Sequence, residues 1–196
     1  MKKLLLTSGG FARNQTLYEK FIELVDKEPR DIRMLLVSAY PFVEATDDTG
    51  FSPETVFARE RKALLERGFL PENLVNHCLR DKWKQNIEDF NAIYVNGGDC
   101  KLYAKGIAKR KFRTQIDALV NSGGVYAGIS AGSFLAMSFG PKLLCYADCE
   151  FDVHSKNRYP AGPVDPSKRD VIALANDQAL VVVNDEYTVI GGGDAS

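Results

Sequence analysis

The segment 125–134, VYAGISAGSF, sets a serine between two glycines as Gly128-Ile129-Ser130-Ala131-Gly132. A hydroxyl is a weak nucleophile until a base takes its proton and donors await the developing oxyanion. Glycine on either side lacks the Cβ that would keep a strand and a following helix apart. The turn between them can therefore tighten and push the Ser130 Oγ outward. An apolar run precedes the segment and helix-compatible residues follow it, so a helix N-terminus would add N–H groups and a positive dipole end. A tight turn with an incidental serine, or a phosphate cradle, is the other reading of the pattern.

The chain has two histidines that could serve as the base. His77 lies next to Cys78 inside an apolar run and reads as a half-buried strand residue. His154, in CEFDVHSKNRYPAG, borders a loop with proline and glycine and is the expected base. If CYADCEFDVH is extended, Asp148, Glu150, Asp152 and His154 share one face, because side chains alternate along a strand. Asp152 is then placed to orient the imidazole and stabilise its charged form. A solvated acidic edge accounts for the same spacing.

The elements that must hold these residues alternate along the chain. Strands are predicted over 2–8, 32–40, 73–80, 91–98 and 123–129. Between them, Leu17, Phe21, Leu24 and Val25 recur at helical spacing behind a capping box of Thr16 and Glu19. A polar loop over 46–53 leads into Ser52-Pro53, a cap followed by a proline at the first helical position, and Gly68 closes that helix. A short helix over 81–90 and a long one over 102–120 complete the pattern. Such alternation demands crossover connections, hence an α/β fold: a single-domain three-layer sandwich with a mostly parallel central sheet. Ligands of such sheets bind outside the carboxyl ends of the strands. Ser8-Gly9-Gly10, Asn96-Gly97-Gly98 and Ser130 all fall there.

Composition narrows the function classes. With 196 residues, a net charge of −1 and 45% hydrophobic residues, the chain reads as one ordinary globular domain, not a disordered or polyanion-coating one. The stretch 101–113, KLYAKGIAKRKFR, holds six Lys or Arg, but Leu102, Tyr103, Ile107 and Phe112 keep helical spacing. Its charges read as the solvated face of an amphipathic helix, and no nucleic-acid partner is expected. Four scattered cysteines do not make a disulfide framework, and Cys145 with Cys149 lacks Cys-x-x-Cys spacing, so no metal or cofactor is expected. Cys100 has no histidine near it in sequence and reads as a small residue starting a helix. The apolar run of MKKLLLTSGG stops after three leucines, too short for an export signal or a membrane span, which predicts a cytoplasmic protein.

In chain order, LLLTSGG (4–10), IYVNGGD (93–99), YAGISAGS (126–133) and HSKNRYPAG (154–162) give the chain a likeness that spans most of its length. It resembles the Ser-dependent peptidase E family of aspartyl dipeptidases, with cyanophycinases as relatives, whose sheet is of the class I glutamine-amidotransferase-like type. The resemblance implies that Ser130 is the nucleophile, His154 the general base, and the N–H groups of Gly98 and Ala131 the oxyanion hole. It implies hydrolysis after an N-terminal aspartate of a short peptide, with Asp99, Arg158 and Arg169 as candidate substrate contacts. The family pattern has a longer segment between serine and histidine, with the acid inside it; here the separation is 154 − 130 = 24 residues. It also has an aromatic after the histidine, where this chain has Ser155. The expected protein is a cytoplasmic serine peptidase, monomer or homodimer, with no membrane partner. A relative that has lost catalysis and binds a small acidic ligand is the alternative. An α/β-hydrolase esterase is less compatible, because only 196 − 130 = 66 residues follow Ser130.

Overall fold

All five expected strands form; four are apolar runs buried along nearly their whole length, and the fifth, Leu74–Cys78, is an edge strand with Asn76 exposed. MLLVS at Met34–Ser38 and VYAGI at Val125–Ile129 are buried at every position. The computed structural model describes residues 1–44, 52–109, 112–137, 144–168 and 170–192. In chain order the elements are β1 (Lys3–Thr7), α1 (Gln15–Val25), β2 (Met34–Ser38), α2 (Pro53–Glu66), β3 (Leu74–Cys78) and β4 (Ala92–Val95). Then come α3 (Cys100–Lys109), α4 (Phe112–Asn121), β5 (Val125–Ile129), α5 (Ala131–Phe134), β6 (Phe151–Asp152), β7 (Gly162–Val164), β8 (Ile172–Ala173), β9 (Gln178–Val183) and β10 (Glu186–Gly191).

The main sheet runs β3-β2-β4-β5-β1-β9-β10-β7. From β3 to β1 every pairing is parallel; from β1 onward every pairing is antiparallel. Asn184, at φ 57°, and Asp185 form the two-residue turn of the β9–β10 hairpin. Helices α1 and α2 cover one face through Leu17, Phe21, Phe57 and Leu64, and α3, α4 and α5 cover the other through Tyr103, Ile107, Phe112, Ile116 and Ala131. Each of these side chains is at least nine-tenths buried. Burying one large apolar side chain is worth roughly 1.5–3 kcal/mol, so the three-layer α/β sandwich rests on these two seams.

Local structure departs from the sequence pattern in three places. The N-cap of α1 is Asn14, whose Oδ1 accepts from the Leu17 N–H at 3.1 Å, and Glu19 accepts instead from Gln15 Nε2 at 2.6 Å. Over 81–90 there is no α-helix, only a 3₁₀ turn at Ile87–Asp89. Trp83, Ile87 and Phe90 mimic a helical stripe, but Trp83 lies edge-on to both His77 and Phe112, with ring centroids 5.1 Å apart in each case. The expected helix over 102–120 is helical on both sides of residues 110–111, as α3 and α4, and those two residues lie outside the described ones. Leu102, counted on that apolar face, is exposed. The N-cap and proline start of α2 form as expected, with Ser52 Oγ accepting from the Thr55 N–H at 3.2 Å. The rest of the expected polar loop, 46–51, lies outside the described residues.

Candidate active site

Ser130 stands at the carboxyl end of β5 with φ 47° and ψ −110°, a backbone conformation L-residues rarely adopt. The surroundings over-determine it. The Ser130 N–H donates to Thr7 O at 3.0 Å, Ser133 Oγ donates to the same carbonyl at 2.8 Å, and Thr7 Oγ1 donates to Gly128 O at 2.7 Å. Both flanking glycines are required by close approach. A Cβ at Gly128 would lie 2.6 Å from Gly132 C, and one at Gly132 would lie 2.2 Å from Val95 O. The turn is therefore as tight as the sequence implies. Its helix is shorter: α5 is a single turn, so the oriented N–H groups matter here and a long-helix dipole does not.

His154 reaches Ser130 from a different part of the chain. Its Nε2 lies 3.0 Å from Ser130 Oγ, and its Nδ1 lies 2.6 Å from Asn176 Oδ1. Asn176 belongs to the short loop between β8 and β9, which Gln178 fixes by accepting from the Ala175 N–H and donating to Tyr159 O. Ser8, at the end of β1 and fully buried, joins the two residues. Its Oγ accepts from the His154 N–H at 2.7 Å and donates to Asn176 Oδ1 at 3.4 Å. Two donors thus converge on Oδ1. That places Nδ1–H on the amide and leaves Nε2 as the acceptor for the serine proton.

The imidazole partner expected at Asp152 is Asn176 instead. The alternation that grouped Asp152 with His154 holds as far as exposure goes: 148, 150, 152 and 154 are exposed, and 147, 149, 151 and 153 are buried. At His154, however, φ is +57°, so the strand path ends at the residue the argument needed. Asp152 Oδ1 accepts from the N–H of Val153 instead. No signal in the sequence singled out Asn176, which lies 22 residues beyond the histidine in a segment without a motif.

Gly97 and Gly98 close the other side of the turn. A Cβ at Gly97 would sit 3.4 Å from Ser130 Cβ, and Gly98, at φ +128°, packs against Tyr40 so closely that a Cβ would meet its ring at 2.4 Å. The Gly97 N–H is taken by Asn96 Oδ1 at 2.8 Å. No protein acceptor among the described residues takes the N–H of Gly98 or Ala131. Asp99 caps α3, with Oδ1 accepting from the Lys101 N–H at 2.7 Å. Arg158 forms a two-pronged pair with Asp177 at 2.7 and 2.9 Å. Arg169 lies outside the described residues. Burial, and then the charge of Asp99, push the Cys100 thiol up, which disfavours the nucleophilic thiolate. His77 is buried between Trp83 and Phe112.

A cavity of about 250 Å³ opens beside the imidazole, lined by His154, Asn176, Ser8, Arg13, Arg59 and Glu60. Sequence reasoning missed both arginines, which are brought to the site by the loop after β1 and by α2. Among the described residues, no group of His, Cys, Asp and Glu is arranged to hold a metal ion.

The fold and the site define a three-layer α/β protein of the hydrolase type, with a serine held at a strained strand-to-helix turn against a histidine. The model of peptidase family S51 matches residues 4–142, and the chain belongs to that family. The matched span includes Ser130 and ends before His154 and Asn176. Among solved structures, the chain is similar to a peptidase E candidate from Listeria monocytogenes EGD-e, at 17% identity and a TM-score of 0.64, over 98% of this chain and 100% of that one. It is equally similar to a peptidase from an acI-B1 actinobacterium, at 17% identity and a TM-score of 0.64, over 98% of this chain and 88% of that one. At that identity the two structures speak for the fold. No curated protein matches. None of the described helices is long and apolar enough to cross a membrane.

Proposed function

We propose that the protein is a serine peptidase that cleaves short peptides after an N-terminal aspartate, with Ser130 as nucleophile and His154 as general base. The observation that carries this reading is the chain of contacts Ser130–His154–Asn176, at 3.0 and 2.6 Å, in a member of a peptidase family. His154 Nε2 takes the hydroxyl proton as Ser130 Oγ bonds to the scissile carbonyl carbon. The carbonyl pair moves onto oxygen, where the N–H groups of Gly98 and Ala131 receive it. Collapse breaks the C–N bond, and the proton on His154 goes to the departing amine. Water, deprotonated by the same imidazole, then hydrolyses the acyl-serine. Asn176 holds the ring in the tautomer this requires, and Ser8 holds Asn176.

Preference for an acidic residue is supported by Arg13 in the cavity beside His154. Arg13 replaces Arg158 as the candidate partner of a substrate carboxylate, because Arg158 is paired with Asp177. The test is serine-directed fluorophosphonate labelling together with a panel of Asp-Xaa and control dipeptides. Labelling and Asp-selective cleavage by the parent, both lost in Ser130→Ala, are expected. No labelling and no cleavage, with an acidic dipeptide still raising the melting temperature, would make the chain a binding relative instead.

A further inference from the structure

Glu60, on α2, is 2% exposed, yet it lines the cavity next to His154. Its two oxygens are treated differently. Oε2 accepts from the Tyr94 hydroxyl at 2.6 Å, the Phe11 N–H at 3.0 Å and the Ala12 N–H at 2.9 Å. No donor among the described residues reaches Oε1. The loop after β1 is shaped around this group. Gly10 has φ +99°, and a Cβ there would lie 2.6–2.9 Å from the carboxyl carbon and both oxygens. Burying a carboxylate costs several kcal/mol unless its lone pairs are satisfied, and a purely structural anchor for this loop would need no ionisable group. Arg13 acts on Glu60 at long range, but no ion pair joins them. The cavity therefore brings together a carboxylate oxygen with no donor among the described residues and the Arg13 side chain, and at 250 Å³ it suits a ligand of one or two residues.

We propose that Glu60 Oε1 receives the α-ammonium group of the substrate, so that the cavity selects peptides with a free N-terminus. This rests on the peptidase reading above for the placement of the scissile bond beside Ser130. A residue carrying both an ammonium and a carboxylate, as an N-terminal aspartate does, then pairs its two charges with Glu60 and Arg13.

The test is a binding measurement on Ser130→Ala protein, which removes turnover. Calorimetry compares Asp-Leu with N-acetyl-Asp-Leu, with and without Glu60→Gln. A charge-assisted hydrogen bond of this kind predicts that the free amine binds on the order of 10–100-fold tighter. Adding Glu60→Gln brings that ratio close to one and leaves affinity for the acetylated peptide nearly unchanged. Equal affinities without the Glu60 change, no binding of either peptide, or a ratio that survives in folded Glu60→Gln protein would each overturn the proposal. If Glu60→Gln does not fold, pH decides. The groups facing Glu60 are Tyr94 on β4, Arg13 from the loop after β1, Arg59 on its own helix and His154 across the cavity. Their titration acts on both peptides and largely cancels in the ratio, whereas only the free peptide loses its ammonium above about pH 8. A ratio that falls there supports the proposal; one that stays constant from pH 6 to 10 means the acetyl group is refused by size. Fluorophosphonate labelling of Ser130 needs no N-terminal recognition, so failure of the peptidase reading shows separately.

Discussion

Asn176 stands where the more usual arrangement has a carboxylate, and an amide and a carboxylate do different work on an imidazole. Both can fix the ring. Only the carboxylate adds a full charge that stabilises the imidazolium which the proposed mechanism forms when Ser130 gives up its proton. An amide can also turn the wrong way round and demand the wrong tautomer. Ser8 opposes that here, because its hydroxyl donates to the same Oδ1 that faces the ring. Asn176→Asp places a negative charge 2.6 Å from Nδ1, which favours the imidazolium over the neutral ring. The base is then available only from a higher pH. The acid limb of kcat/KM against pH is expected to move up by about one unit, with kcat on the plateau rising. Asn176→Ala is expected to lower kcat by about 10–100-fold. An unchanged acid limb in Asn176→Asp would mean that residue 176 does not touch the working imidazole.

At the scale of elements, the site is a meeting of three strand ends and two loops. The ends of β1, β4 and β5 supply Ser8, the Gly97–Gly98 turn and Ser130, and their parallel register brings those ends level. The return segment through β6 and the loop before β9 supply His154 and Asn176. Backbone passes within contact distance of backbone at each junction, as at Gly9, where a Cβ would lie 2.5 Å from Asn176 O. The turn at Ser130 is the tightest of these. Gly132→Ala cannot be absorbed by a side-chain shift, because the atom in the way is the Val95 carbonyl oxygen at 2.2 Å. Urea unfolding is expected to show a loss of at least about 2 kcal/mol, together with loss of fluorophosphonate labelling. A variant as stable and reactive as the parent would show that β4 and the turn are not clamped together as described.

For the whole molecule, two apolar seams hold the sheet, and one ionisable group is sunk beside them. Burial pushes the pKa of Glu60 up, more than the hydrogen bonds from Tyr94, Ala12 and Phe11 and the charge of Arg13 pull it down. A carboxyl group whose pKa is raised on folding lends its full stability below the unfolded value of about 4.3, and that contribution is lost as pH rises through the folded value. Parent stability is therefore expected to fall relative to Glu60→Gln as pH climbs from 4, read from urea midpoints. A difference that is flat in pH would mean that Glu60 is as easily ionised folded as unfolded. The α/β class, the five parallel strands and the tight turn at Ser130 were determined by the sequence alone, because apolar runs and glycine spacing are local properties. His154 was singled out because the chain has only two histidines, and the structure sets its Nε2 3.0 Å from Ser130 Oγ. Asn176, Arg13, Arg59 and Glu60 were decided only by the tertiary structure. Each lies far from Ser130 in the chain, and no local pattern records which loops the sheet order brings together or where a left-handed residue such as His154 turns a side chain away from its strand.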